Sequence, residues 1–211
     1  MVAKEACAVA RLPAAHSFPT NAAYWVFRFS PGVPAQPSQA FDGWYFDFPV
    51  YAHTPTTECK ADPNCASVHY LVTAVNARLT SSTLTLRFHI ETMGDAQFQP
   101  LLSPDNVCNS PATVRPYIQR IGDDMTLGKG PDYRFWGPPI TLADGGVDVT
   151  VPLTPDKWIN VNGQNSPAGF AGALANVWWI GVTYGGGCFA GHGVNISGGT
   201  AKFTMTAFNL N

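Results

Sequence analysis

Residues 178–211 read Trp-Trp-Ile-Gly-Val-Thr-Tyr (178–184), Gly-Gly-Gly-Cys-Phe-Ala-Gly-His-Gly (185–193), Val-Asn-Ile-Ser-Gly-Gly (194–199) and Thr-Ala-Lys-Phe-Thr-Met-Thr-Ala-Phe-Asn-Leu-Asn (200–211). The first and last pieces are rich in β-branched and aromatic residues and are bounded by glycine, so they read as strands framing a shaped loop. In the last piece Phe203 and Met205 alternate with Lys202, Thr204 and Thr206, which predicts one buried and one wet face. A final strand of this length belongs inside a sheet, because as a free edge it would pair with other chains.

The same alternation recurs upstream. Residues 83–91 set Leu84, Leu86, Phe88 and Ile90 against Thr83, Thr85, Arg87, His89 and Glu91, and residues 114–120 set Val114 and Ile118 against Arg115, Tyr117 and Gln119. Residues 147–153 alternate valine with Asp148 and Thr150, and shorter aromatic strands fall at 21–29, 44–48, 67–78 and 132–136. Proline ends several of these, since it has no amide hydrogen for a ladder. Only residues 167–177 read as a helix, with Ser166 at the N-cap, Pro167 at the first helical position and Phe170, Leu174 and Val177 at helical spacing. Strands roughly ten residues apart with one late helix predict an all-β fold: a two-sheet antiparallel jelly-roll β-sandwich with one short helix near residues 167–177. A length of 211 residues fits a single jelly-roll domain over 1–211, with 1–20 as an N-terminal extension.

Charged residues make up 12% of the chain, about half the ordinary share, so its polar surface must be mostly Thr, Ser, Asn and Gln. A net charge of -2 without a basic run gives no basis for binding nucleic acid or an anionic membrane. No segment approaches the ~20 apolar residues of a spanning helix, so no membrane insertion is expected. Lys4, Glu5 and Arg11 interrupt the first residues, so either a secretory signal was removed ahead of Met1 or none exists. Cys59 and Cys65 bracket a turn-rich loop and are expected to form a disulfide, Cys108 and Cys188 a second, with Cys7 left over. Such bridges place the protein in an extracellular or secreted setting, or on the exterior of a particle.

Residues 147–211 resemble the second half of the galactose-binding-like jelly roll found in many carbohydrate-binding modules. The resemblance lies in the Val-alternating strand (147–151), Trp158, the helix Phe-Ala-Gly-Ala-Leu-Ala-Asn-Val (170–177), the strand Ile-Gly-Val-Thr-Tyr (180–184), a loop, and the closing strand Phe-Thr-Met-Thr-Ala-Phe (203–208). It implies the fold and a glycan or polysaccharide as partner, although the architecture also hosts enzymes and structural modules. Members of that group commonly carry an acidic residue and Asn before the closing strand, whereas residues 199–202 here are Gly-Thr-Ala-Lys. No ligand residue carries across on resemblance alone.

The residues themselves suggest a ligand platform. If the two cleanest strands share a sheet, Arg87, His89, Glu91, Arg115, Tyr117 and Gln119 form one hydrogen-bonding patch around an aromatic ring, as saccharide hydroxyls and C–H faces require. The bland alternative is a solvated face with ion pairs such as Arg87 with Glu91. Adjacent Trp178 and Trp179 are expected on opposite faces of their strand, with Trp179 joining the patch. Trp44, Trp136 and Tyr133 lie near loops as further stacking candidates, and His192 sits in the glycine-dense loop as a candidate rim residue.

Other chemistries have thinner support. Asp123, Asp124 and Asp132 in one loop region and Asp105 with Asn106 in another leave a structural calcium open, without regular ligand spacing. Three glutamates make a glycosidase carboxyl pair a poor fit. A polysaccharide lyase is the better enzymatic alternative, with His89 or Tyr117 as base and Arg87 or Arg115 neutralising a uronate. No catalytic residue and no cofactor is assigned. The low-charge, Thr- and Gly-rich exterior equally suits a structural protein that packs against identical subunits or other assembly proteins of an extracellular or virion particle.

Overall fold

The computed structural model describes residues 10–51, 66–100, 111–187 and 190–211. The first half contributes β1 (Ala10–Arg11), β2 (His16–Ser17), β3 (Trp25–Arg28), β4 (Ser38–Gln39), β5 (Trp44–Asp47), β6 (Tyr70–Arg78) and the long β7 (Thr83–Pro100). The second half contributes β8 (Ala112–Arg120), β9 (Arg134–Trp136), β10 (Ile140–Thr141), β11 (Gly145–Pro152), the helix α1 (Pro167–Ala175), β12 (Val177–Gly186) and β13 (Val194–Leu210).

These strands form two sheets around one core, an all-β sandwich compatible with a jelly roll. The seven-stranded sheet runs β1-β6-β12-β8-β10, with β3 also on β6 and β9 also on β8. The six-stranded sheet runs β11-β7-β13-β5-β4, with β2 on the end of β13. All strand pairings are antiparallel except that of β1 with β6.

The closing strand lies inside its sheet, between β7 and β5, as its alternation requires. Its inward Phe203 stacks on Phe88 at 4.8 Å and on Phe46 at 5.4 Å, and Tyr184 of the facing sheet meets it edge-on at 5.8 Å. Aromatic pairs of this kind contribute about 0.5–1.5 kcal/mol each beyond the area they bury. The sandwich is therefore held at its centre by rings from both layers.

Several local expectations change. β7 runs past Glu91 to Pro100 because β13 pairs with it from Val194 opposite Pro100 to Leu210 opposite Leu84, and Gly94 and Asp95 hide this in the sequence. The helix stops at Ala175, and Val177 opens β12 instead. Ser166 occupies the N-cap position, but its hydroxyl donates to Asp132 Oδ2 at 2.9 Å rather than capping the helix. Trp44 is 1% exposed and belongs to the core, so it is no stacking platform. Both expected disulfides, Cys59 with Cys65 and Cys108 with Cys188, lie outside the described pairs of residues, as do Cys7, Asp105 and Asn106.

Candidate functional site

The expected shared patch does not form. β7 belongs to the six-stranded sheet and β8 to the seven-stranded one, so Arg87, His89 and Glu91 face away from Arg115, Tyr117 and Gln119 across the whole sandwich. Alternation sorts a strand into faces but carries no information about which sheet it joins. The two halves of the expected patch are therefore separate surfaces.

The half on β7 is a solvated face. Arg87 pairs with Asp148 of β11, its register partner, at 2.7 Å, rather than with Glu91, and both side chains are more than half exposed. His89 Nε2 stands 4.0 Å from Glu91. Arg87, His89, Asp148 and Thr206 line an open depression of about 340 Å³.

The outer face of the seven-stranded sheet is different in kind. Inward residues of its strands are aliphatic and aromatic, while the outward set includes Arg28 of β3, Tyr70 and Val72 of β6, Trp179 of β12, Arg115, Tyr117 and Gln119 of β8, and Trp136 of β9. Ring follows ring across the strands: Phe29 meets Tyr70 edge-on at 6.1 Å, Tyr70 meets Tyr117 at 5.0 Å, and Tyr117 meets Trp136 at 6.4 Å. Tyr70, Tyr117 and Trp136 are buried, whereas Phe29 is 52% exposed. The row thus opens to solvent at the β3 end.

At that open end the tryptophans break the rule of alternation. Relative to β8, β12 carries one additional residue between Val177 and Trp179; relative to β6 the additional residue lies on β6, where Asn76 takes a φ of 50°. Such bulges re-aim side chains. Trp178 and Trp179 consequently lie on the same side with ring centroids 5.8 Å apart, contrary to the expectation that they face opposite ways. Both flank Arg28, whose guanidinium carbon is 5.1 Å from the Trp179 ring, 5.7 Å from Trp178 and 5.5 Å from Phe29. Phe29 itself holds a φ of 54°, a left-handed backbone costing a bulky residue about 1–2 kcal/mol. The strain falls on a ring that is half exposed rather than packed in the core.

Deeper on the face the polar groups form a network with a surplus of donors. The loop after β8 folds back over it: Asp123, 4% exposed, accepts from Gln119 Nε2 at 2.8 Å and from the Met125 amide at 3.1 Å, and its Oδ2 lies 3.3 Å from Arg134 Nε. Among the described residues the Tyr117 hydroxyl finds only the Met125 sulfur, at 3.9 Å. Arg115 donates to the carbonyls of Gly137, at 3.3 Å, and Gly187, while among the described residues its Nε has no acceptor, and the buried indole nitrogens of Trp136 and Trp179 have none either. A buried donor left unmet costs about 1–3 kcal/mol.

Burial also governs ionisation here. It pushes the Tyr70 phenol up to about 12 and that of Tyr117 well above its ordinary value, so both stay protonated, and it lowers the pKa of Arg115. Of the groups named for a lyase, His89 and Arg87 share the β7 face and its depression, whereas Tyr117 and Arg115 lie on the opposite sheet.

His192 lies between Gly191 and Gly193, whose backbones abut the Tyr70 hydroxyl and the His69 ring, at the edge of the same face. The aspartates named for calcium diverge: Asp123 is in the network, Asp124 accepts from Thr126, and Asp132 holds Ser166 and Asn160. Among the described residues no group of three His, Cys, Asp or Glu converges. Arg28, Phe29 and Tyr70 were not legible as site residues, and Asp123 was named only for calcium, although in the strand at 21–29 Val26 and Arg28 alternate with the inward Trp25 and Phe27. The sequence matches no known family model, and no curated protein or solved structure is significantly similar to it.

Proposed function

We propose that the chain is a non-catalytic carbohydrate-binding module of the galactose-binding-like jelly-roll type, working outside the cytosol, and that its glycan lies on the outer face of the seven-stranded sheet. The observation that carries this is the Arg28 guanidinium set among the Phe29, Trp178 and Trp179 rings at the solvent-open end of an aromatic row. A sugar presents apolar C–H faces and vicinal hydroxyl pairs, and this cluster offers flat rings for the first and a fixed fork of donors for the second. Exposed Arg87, His89 and Glu91 are left out of this site.

The test is a glycan array probed with the folded protein and with Trp179→Ala and Arg28→Ala. Binding to a defined glycan by the parent, lost in both variants while far-ultraviolet circular dichroism and the cooperative melt are retained, supports the reading; an array on which the parent binds nothing contradicts it. A second reading, packing against other subunits, is favoured by Tyr24 and Phe29, 60% and 52% exposed at the two ends of β3. Sedimentation velocity of the parent and of a Tyr24→Ser, Phe29→Ser double variant separates it: an oligomer that the variant dissolves belongs to assembly.

A further inference from the structure

We infer that the ligand of this face is an acidic glycan, one whose sugar units carry carboxylates, rather than a neutral one. The inference rests on the glycan reading above and adds the chemical class. Arg28, Arg115 and Arg134 lie on the face, and Asp123, the carboxylate buried against them, is already taken by Arg134, Gln119 and the Met125 amide. Arg28 has rings for neighbours and Arg115 two backbone carbonyls, and neither has a carboxylate partner among the described residues. Of the two guanidinium groups, Arg115 is buried and Arg28 lies at the solvent-open end.

The hydrogen-bond inventory points the same way. Among the described residues Arg115 Nε, Trp136 Nε1 and Trp179 Nε1 are donors without acceptors, buried behind the open end where Arg28 lies. A sugar hydroxyl brings one O–H donor with its acceptor lone pairs, so on a face already short of acceptors it leaves its own hydrogen unmet. A carboxylate brings acceptors only. Arg28 and Arg115 also share one cross-strand row, Arg28 opposite Tyr70, Tyr70 opposite Thr183 and Thr183 opposite Arg115. At strand spacings of about 4.8 Å their backbones stand roughly 14 Å apart; Arg115 is 6% exposed, so Arg28 is the guanidinium that a ligand carboxylate meets first.

The experiment is isothermal titration of the folded protein with oligomers of galacturonate and of mannuronate, with each oligomer after reduction of its carboxyls to primary alcohols, and with poly-glutamate of matched charge. The expected result is that a uronate oligomer binds at least about tenfold more tightly than its reduced counterpart and than poly-glutamate, weakening with salt. Arg28→Gln should remove the preference and Arg28→Lys keep most of it, both with unchanged circular dichroism. Equal or tighter binding of the reduced oligomer overturns the acidic assignment and leaves the glycan reading standing. Binding of poly-glutamate as tight as that of a uronate oligomer makes the partner an acidic peptide and overturns it too; silence toward all of these and toward neutral glycans removes both.

Discussion

Tyr70 and Tyr117 bring their rings to within 5.0 Å of each other although the strands that carry them do not touch. β12 runs between β6 and β8, and at the crossing it contributes Gly181, in register with Tyr117 on one side and Val72 on the other. A Cβ there would overlap the Leu71 carbonyl and stand 2.8 Å from Val72 Cα. The obstacle is backbone, which cannot swing aside. Gly181→Ala is therefore expected to destabilise the fold by about 1–3 kcal/mol, read as a lowered denaturant midpoint; an unchanged midpoint would show that the sheet yields at this point.

Phe29 gives the opposite sign. Its φ of 54° strains a bulky side chain, and its ring is half exposed. Phe29→Gly relieves the backbone, partly offset by the greater freedom of glycine in the unfolded chain. Stability should be unchanged or higher by up to about 1 kcal/mol, while glycan affinity falls. A variant that loses stability as well assigns the ring to the fold instead.

Tyr184 is fully buried between the sheets, against Phe46, Phe48 and Phe203, and its hydroxyl has no hydrogen-bond partner among the described residues. Replacing it with phenylalanine keeps the shape and removes an unmet polar group. Tyr184→Phe should stabilise by about 1 kcal/mol, visible as a higher melting temperature; a lower one would reveal an acceptor such as an internal water.

Alkaline titration should unfold the protein through its buried phenols. Burial raises Tyr70 to about 12 and lifts Tyr117 and Tyr184 well above their ordinary values. Between the unfolded value near 10 and the folded values the native state binds more protons, so stability falls as pH rises in that window and is flat with respect to these groups below it. Spectrophotometric titration should show three of the seven tyrosines ionising together with loss of tertiary circular dichroism. Ionisation of all seven before any unfolding would contradict the burial.

The exposed pair Arg87 and Asp148 serves as a control. With both side chains more than half in water, Asp148→Asn should cost less than about 1 kcal/mol and the difference should vanish in high salt.

How far the sequence speaks is visible in particular residues. Alternation at 83–91 and 202–206, with strands roughly ten residues apart and one late helix, was enough for the two-sheet sandwich, because a period of two is a local property that burial reads directly. Sheet membership is not local: nothing near Arg87 or Tyr117 states that one strand pairs with β11 and the other with β12. The placement of Trp178 beside Trp179 goes with register shifts of β12 against both β8 and β6, the latter near Asn76 on a different strand, and Arg28 matters only because both rings lie against it. Arg115, Tyr117, Gln119 and Trp179 were found as residues of one face, but for a patch that included the wrong strand.

The location of the site is tested most directly by titrating one array-identified glycan into Trp179→Ala and Arg87→Ala, which lie on opposite sheets. The structure predicts at least about a tenfold loss of affinity for Trp179→Ala and no significant change for Arg87→Ala. Retained binding by Trp179→Ala together with loss in Arg87→Ala would place the ligand over the β7 depression and contradict the assignment made here.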